Sequence, residues 1–377
     1  MPDSRIYLSP PSVGELEIQR VVAALESGWV APLGPEVNAF EADLAHAAGV
    51  DHAVALSSGT AAIHLALLGM GVKPGDRVYC PTVTFGATAF AITYTGAQPV
   101  FIDSEDETWN LSPDMLSEAL KKDAAAGKLP KVIISVDLFG RTCDYDQIIP
   151  IADEYGIPVL EDAAEALGAT HGTNKAGSFG KAAIFSFNGN KIITSSGGGM
   201  LVSNDQDLID HACFRSTQAR EQVPWYEHEQ IGFNYRMSNI LAALGRAQLS
   251  RLDEIIENRQ RVHDHYQDHL AGVEGVQVVG DPPWGRSNYW ITNIRIDSDL
   301  HPDGPHRVRD YLESLNIEAR NAWKPMHQQP VFAGAEAHLD GTADRIFDEG
   351  LCLPSGIELT NDDVDRIAEF VRVELLS

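Results

Sequence analysis

The chain has 377 residues, 44% hydrophobic and 22% charged, the balance of a soluble globular protein long enough for two cores. Its 54 acidic and 28 basic side chains give a formal charge of -26, which argues against sequence-independent binding to nucleic acid or to anionic membranes. Cys80, Cys143, Cys213 and Cys352 are widely spaced, so neither a disulfide framework nor a zinc site is expected.

The segment Met1-Pro2-Asp3-Ser4-Arg5 lacks a basic stretch followed by an apolar core, so no signal peptide is expected and the location expected is cytoplasmic. Short apolar runs then alternate with helical patterns. Strands are predicted at Ala53–Ser57, Arg77–Cys80, Pro99–Asp103, Val132–Val136, Pro158–Glu161, Ala182–Phe187 and Met200–Ser203. Helices are predicted between them at Thr60–Met70, Thr84–Tyr94, Pro113–Lys122 and Tyr145–Tyr155. That alternation is the pattern of an α/β fold: three layers around a mostly parallel sheet. Val78 to Ile102 carries no charge and is long enough to cross a bilayer, but Pro81, Gly86, Gly96 and Pro99 divide it into strand, turn, helix and strand. The apolar stripe through Ile240, Leu241, Leu244, Ala247, Leu252, Ile255 and Ile256 predicts one long helix over Asn239–Leu270. Strands near Gln277–Val279 and Tyr289–Ile296 and helices near Gly304–Leu315 and Asn361–Leu375 complete a smaller α+β unit. The expected division is a large domain over 1–250 and a small one over 251–377.

The chemistry concentrates where predicted strands end. Ser58-Gly59-Thr60-Ala61 follows an apolar strand and opens a helix, a junction that suits an N-cap, a phosphate, or both. Phe85 sits at the next strand–helix junction, either to stack on a flat ring or simply as core. Glu161-Asp162 ends a strand and is followed by small residues. Asp162 could cap the next segment, yet a carboxylate at a strand's carboxyl end is also placed to face a pyridine nitrogen. Beyond another strand lie Ser186 and Lys191, then Gly197-Gly198-Gly199, whose backbone can approach a ligand closely. Lysine for a Schiff base, a phosphate cradle and an acid for the ring nitrogen together read as a pocket for pyridoxal 5′-phosphate (PLP).

These residues resemble the nucleotide-sugar aminotransferases of the DegT/DnrJ/EryC1/StrS family, within the fold-type I PLP-dependent transferases. The resemblance extends over nearly the whole chain. It includes Gly28-Trp29-Val30-Ala31-Pro32-Leu33-Gly34-Pro35, Gly232-Phe233-Asn234-Tyr235-Arg236-Met237-Ser238, Trp323-Lys324-Pro325-Met326-His327 and Gly350-Leu351-Cys352-Leu353-Pro354-Ser355-Gly356. The resemblance implies that Lys191 forms the Schiff base, Asp162 pairs with the pyridine nitrogen and Phe85 covers the ring. It assigns the phosphate to Ser186 with Gly59, Thr60 and Ala61, and to Asn234 of a neighbouring subunit. A functional unit of at least a homodimer with a shared active site is therefore implied, a tetramer being the further alternative. Pro32, Arg236, Arg320 and His327 are candidate substrate contacts, although salt bridges explain the arginines as well and His327 could instead pack the small domain.

The implied reaction is a two-stage transamination. L-Glutamate gives up its amino group and leaves as 2-oxoglutarate, the cofactor becomes pyridoxamine 5′-phosphate, and a nucleotide-linked 4-keto sugar accepts the nitrogen. Many family members have glutamine where this chain has Glu165, near the cofactor's ring hydroxyl; a subset with glutamate acts on 4-keto sugars of the perosamine and bacillosamine types. The match favours a UDP-linked 4-keto-6-deoxy-N-acetylhexosamine, with a GDP-linked perosamine precursor second. Dehydratases of this fold replace the Schiff-base lysine with histidine, and a non-catalytic relative would be expected to lose Asp162 or Lys191. A metal enzyme built on His263, His265 and His269 lacks an HExxH glutamate, so a solvated helix face is the expectation there and no metal is assigned.

Overall fold

The computed structural model describes residues 5–376. The first four residues, on which the signal-peptide reading partly rests, lie outside them. Eight strands form one sheet in the order His52–Leu56, Gly199–Ser203, Ala182–Ser186, Val159–Asp162, Val132–Val136, Arg77–Pro81, Gln98–Ile102 and Ala337–His338. Gly199–Ser203 runs antiparallel to both of its neighbours, whereas the remaining pairs are parallel.

Alternate side chains of these strands enter two different cores. Val78, Cys80, Phe101, Val132 and Ile134 pack on one face with the helices Gly59–Gly69 and Gly86–Tyr94. Tyr79, Val100, Ile102 and Ile133 pack on the other with the helices Pro113–Ala125 and Tyr145–Glu154. Both faces are covered, which is why the strands read as continuous apolar runs. The uncharged stretch resolves into the strand Arg77–Pro81, the helix Gly86–Tyr94 and the strand Gln98–Ile102. No described helix is long and apolar enough to cross a membrane.

Towards the C-terminus, Val276–Val278, Thr292–Ile296, Gly350–Leu353 and Arg320–Asn321 form a four-stranded antiparallel sheet. Its core joins Ile294, Ile296 and Leu351 to Val262, Tyr266, Val308, Leu312 and Val371 from three helices. The predicted long helix is two, Asn239–Leu249 and Leu252–Leu270. At the break Arg251 takes φ -109°, ψ 7° and places Nη1 2.8 Å from the buried Glu17, on a helix, Glu15–Glu26, that periodicity did not reveal. Glu17 also accepts a bond from Gln248 at 2.7 Å, so the N-terminal helix is fastened on both sides of the break.

Candidate active site

The carboxyl ends of the central strands converge through their register. Leu56 and Ser186 are both opposite Gly199, and Asp162 is opposite Ile184. A Cβ on Gly199 would lie 2.5 Å from the Gly59 nitrogen, so only glycine lets this strand pass so close to the Ser58–Gly59 turn. Ser58 is the N-cap: its side chain accepts the Ala61 N–H at 3.0 Å. The positive end of that helix dipole then faces the cavity.

A cavity of about 410 Å³ opens at this edge. Gly59, Thr60, Phe85, Asp162, Glu165, Ser186 and Lys191 all border it, as do Gly197 and Gly198. Ala61 is buried in the first helical turn behind this lining. Phe85 is 58% exposed at the cavity and meets Trp323 edge-on, with centroids 5.9 Å apart, so it is not core.

Asp162 is buried and receives Thr88 Oγ1–H at 2.7 Å and the Ala164 N–H at 3.2 Å. Burial pushes its carboxyl up to about 6, despite those two bonds and the pull of Lys191. A buried acid raised in this way favours a cationic partner. The carboxyls of Asp137 and Glu161 are also pushed upward by burial, Glu161 further by the charge of Asp137.

Lys191 Nζ lies 3.1 Å from Glu165 Oε1 and 4.2 Å from the centroid of the Trp290 ring. Glu165 is held by the Phe139 N–H, 2.7 Å from Oε2. Phe139 adopts φ 54°, a left-handed conformation costly for a bulky residue, and that geometry accompanies the N–H aimed at Glu165. Trp290 is held in turn: its indole N–H donates to the Asn190 carbonyl at 2.6 Å, and its backbone N–H to Asn288 Oδ1 at 2.9 Å. Asn288 Nδ2 also donates to the Glu165 carbonyl at 2.7 Å. One turn therefore supports both neighbours of the lysine.

Beneath this turn Arg259 is fully buried. It donates to the carbonyls of Trp290 at 2.5 Å and Ser355 at 3.0 Å and to Ser9 Oγ at 3.1 Å, while Ser9 donates to the Asn190 carbonyl at 2.9 Å. Burial lowers the guanidinium to about 10, where it stays charged at neutral pH.

Sequence reasoning did not single out Trp290, Asn288, Trp323 or Arg259. Only the fold brings them to Lys191, although Trp323 lies within a quoted motif.

The remaining candidates lie outside the lining. Asn234 is exposed and bridges Thr217. Pro32 is exposed on a segment tied down by Asn239, which donates to the Trp29 carbonyl and accepts from the Glu36 N–H, at 3.0 and 2.9 Å. Arg236 pairs with Glu41 at 2.6 Å and donates to the Ala55 carbonyl at 3.0 Å. His327 is engaged by Thr82 at 2.8 Å and Asp344 at 3.0 Å. Arg320 is 61% exposed, pairs with Glu318, and borders a second cavity of about 450 Å³. Asn190 and Trp323 line both cavities, so the two adjoin.

The model of the DegT/DnrJ/EryC1/StrS aminotransferase family matches residues 11–372. The chain belongs to that family. It is an enzyme of the PLP-dependent sugar aminotransferase class. EpsN of Bacillus subtilis (strain 168), provisionally named a pyridoxal phosphate-dependent aminotransferase, is 48% identical over 369 residues, covering 97% of this chain and 94% of its own. GDP-perosamine synthase of Caulobacter vibrioides is 38% identical over 365 residues, covering 96% of each. The crystal structure of DesI in the presence of its TDP-sugar product matches with a TM-score of 0.89 at 31% identity, covering 98% of this chain and 93% of that one.

The cavity suits the cofactor. Its donors are a capped helix start and Ser186, and its acceptor is the buried acid Asp162, on the strand paired with that of Ser186. A Cβ on Gly59 would lie 3.1 Å from the Ser186 side chain, so the cradle is formed by close backbone approach.

Proposed function

We propose that this enzyme moves the amino group of L-glutamate to the keto carbon of a nucleotide-linked 4-keto-6-deoxy sugar, with a UDP-linked N-acetylhexosamine as the acceptor. The observation that carries the amine-transfer part is Lys191 Nζ, placed in one cavity with Asp162 and the Ser58–Thr60 turn. When bound, PLP supplies the electron sink for the carbanion formed at the donor's Cα.

Lys191 would be the attachment point for the cofactor, and its free amine the base, Nζ taking the proton from the donor's Cα. Asp162 would hold positive charge on the ring nitrogen, and Thr88 and Ala164 fix its two oxygens. The N–H groups of Gly59 and Thr60 and the Ser186 hydroxyl would hold the phosphate. Phe85 would cover the ring, with Trp323 edge-on to it at 5.9 Å.

Asn234 acts in the cavity of a second copy of the chain. Support comes from the aromatic cluster beside it: the exposed Tyr94 shares the buried ring of His64 with the half-buried Phe233 and Tyr235, the two neighbours of Asn234. A GDP-linked sugar of the perosamine type is the second reading, favoured by the similarity to GDP-perosamine synthase.

The deciding experiment offers UDP- and GDP-linked 4-keto-6-deoxy sugars separately, each with glutamate, and follows amino-sugar product by mass spectrometry. Product from the UDP-linked sugar is expected. Turnover of the GDP-linked sugar alone would reverse the order of the two readings. Failure of borohydride to fix the cofactor to Lys191 would overturn the role of that residue.

A further inference from the structure

His265 and His269 are one turn apart on the helix Leu252–Leu270, and their ring centroids are 4.6 Å apart. Facing them is Asp365, the fifth residue of the helix Asn361–Leu376. Its Oδ1 lies 2.5 Å from His265 Nε2 and 2.9 Å from His269 Nε2. The three ligand atoms lie within 4.8 Å of one another. His263, which sequence spacing grouped with the other two, is turned away: its Nε2 faces the Val279 carbonyl at 3.2 Å.

We propose that His265, His269 and Asp365 form a binding site for a divalent transition-metal cation of zinc-like chemistry. Two imidazole nitrogens and a carboxylate oxygen are the ligand set such ions take, at metal–ligand distances of about 2.0–2.2 Å. Tetrahedral geometry at those distances separates ligand atoms by about 3.3 Å, so the imidazole–carboxylate contacts would open by less than about 1 Å. Side-chain rotation covers that. His265, His269 and Asp365 are 21%, 41% and 45% exposed, so water completes the coordination from the solvent side.

The surroundings favour a cation. The chain carries a formal charge of -26, which raises the concentration of cations near its surface. Among the described residues the other comparable cluster, Asp123, Glu336 and His338, differs in having its cation built in. There Arg77 lies 2.7 Å from Asp123 and 2.9 Å from Glu336.

The metal would act as a clip. The two helices already meet through Val262, Tyr266 and Leu270 against Val364, Ile367, Ala368 and Val371. The ligands bridge the same pair of helices, so binding to the folded state adds directly to the stability of this unit.

The test uses the full chain without an affinity tag, stripped of metal by chelator and dialysis. Zn²⁺ is titrated calorimetrically, and melting is followed with and without the ion. One equivalent is expected to bind and to raise the melting temperature. His265→Ala, His269→Ala and Asp365→Asn are each expected to weaken binding by about tenfold or more. His269→Gln, which keeps a polar side chain at an exposed position, guards against misfolding of the alanine variants. His263→Ala is expected to bind as the parent does. Absence of one-to-one binding, or binding that survives loss of both His265 and His269, would overturn the proposal.

Discussion

Lys191 Nζ lies 3.1 Å from Glu165 Oε1, while the other oxygen of Glu165 is occupied by the Phe139 N–H. The lysine is thus paired with an acid whose position is set by strained backbone, not by solvent. Glutamine at this position has a single oxygen, which the fixed Phe139 N–H would claim. Its amide NH2 would then face the lysine, donor against donor. Glu165→Gln is expected to fold normally and to lose about tenfold in kcat/KM for glutamate. Glu165→Ala is expected to lose about 100-fold, because it also leaves the Phe139 N–H unsatisfied. Steady-state kinetics on both variants checks this: a Glu165→Gln variant as active as the parent would count against a role for the contact with Lys191, and equal losses in the two variants would count against a role for the Phe139 bond.

Trp290 supports the same amine from its ring face, 4.2 Å from Nζ to the centroid. A cation–π contact of this kind contributes about 0.5–2 kcal/mol, equivalent to about 2- to 30-fold in rate if it is lost in the reacting state. Trp290→Leu is expected to slow the glutamate half-reaction within that range. Trp290→Phe, which keeps a ring but loses the bond to the Asn190 carbonyl, should slow it less. Rapid mixing under single-turnover conditions separates the two.

Arg259 ties this arrangement to two distant segments, through Ser9 and Ser355. Arg259→Lys has one compact ammonium in place of a planar fork and cannot reach all three acceptors. It is expected to lower stability by about 2–4 kcal/mol, close to the loss from Arg259→Met, since buried carbonyls are orphaned in either case. Urea denaturation of the cofactor-free chain measures it. Full rescue by lysine would show that charge alone, and not the fork, is what the site requires.

The parts of the site legible in the sequence are those at the ends of apolar strands. Asp162, Ser186 and the Ser58–Thr60 turn each follow a buried run, and the parallel sheet brings such ends to one edge. Trp290 and Asn288 were hidden because their positions depend on a left-handed turn at Tyr289, φ 55°, which no local pattern marks. The helix break at Ser250–Arg251 was hidden for a related reason. The apolar stripe continues through it, and only the distant Glu17 reveals why the chain turns. The edge strand Ala337–His338 is two residues long, too short for any periodicity, yet it joins Gln98–Ile102 in parallel.

Asp162 gives a pH-dependent prediction. Its carboxyl is raised from 3.8 to about 6 by burial, so ionisation is harder in the folded chain than in the unfolded one. The resulting penalty is absent below the unfolded value, grows as pH rises through about 4 to 6, and is complete above that. A shift of about two units corresponds to about 3 kcal/mol. Asn has no charge to bury and can keep its bonds to the Thr88 hydroxyl and the Ala164 N–H. Cofactor-free Asp162→Asn should therefore melt above the parent at pH 8, with the gap closing towards pH 4. Bound PLP changes the sign, because a protonated ring nitrogen gives the carboxylate the partner that burial denies it. The loaded parent should gain more in melting temperature than the loaded variant, and the variant's kcat/KM should fall by about 100-fold or more as the electron sink weakens. Calorimetry on both proteins, with and without PLP, across this pH range tests the argument. A gap that does not change with pH would mean that Asp162 carries no buried charge in the folded chain.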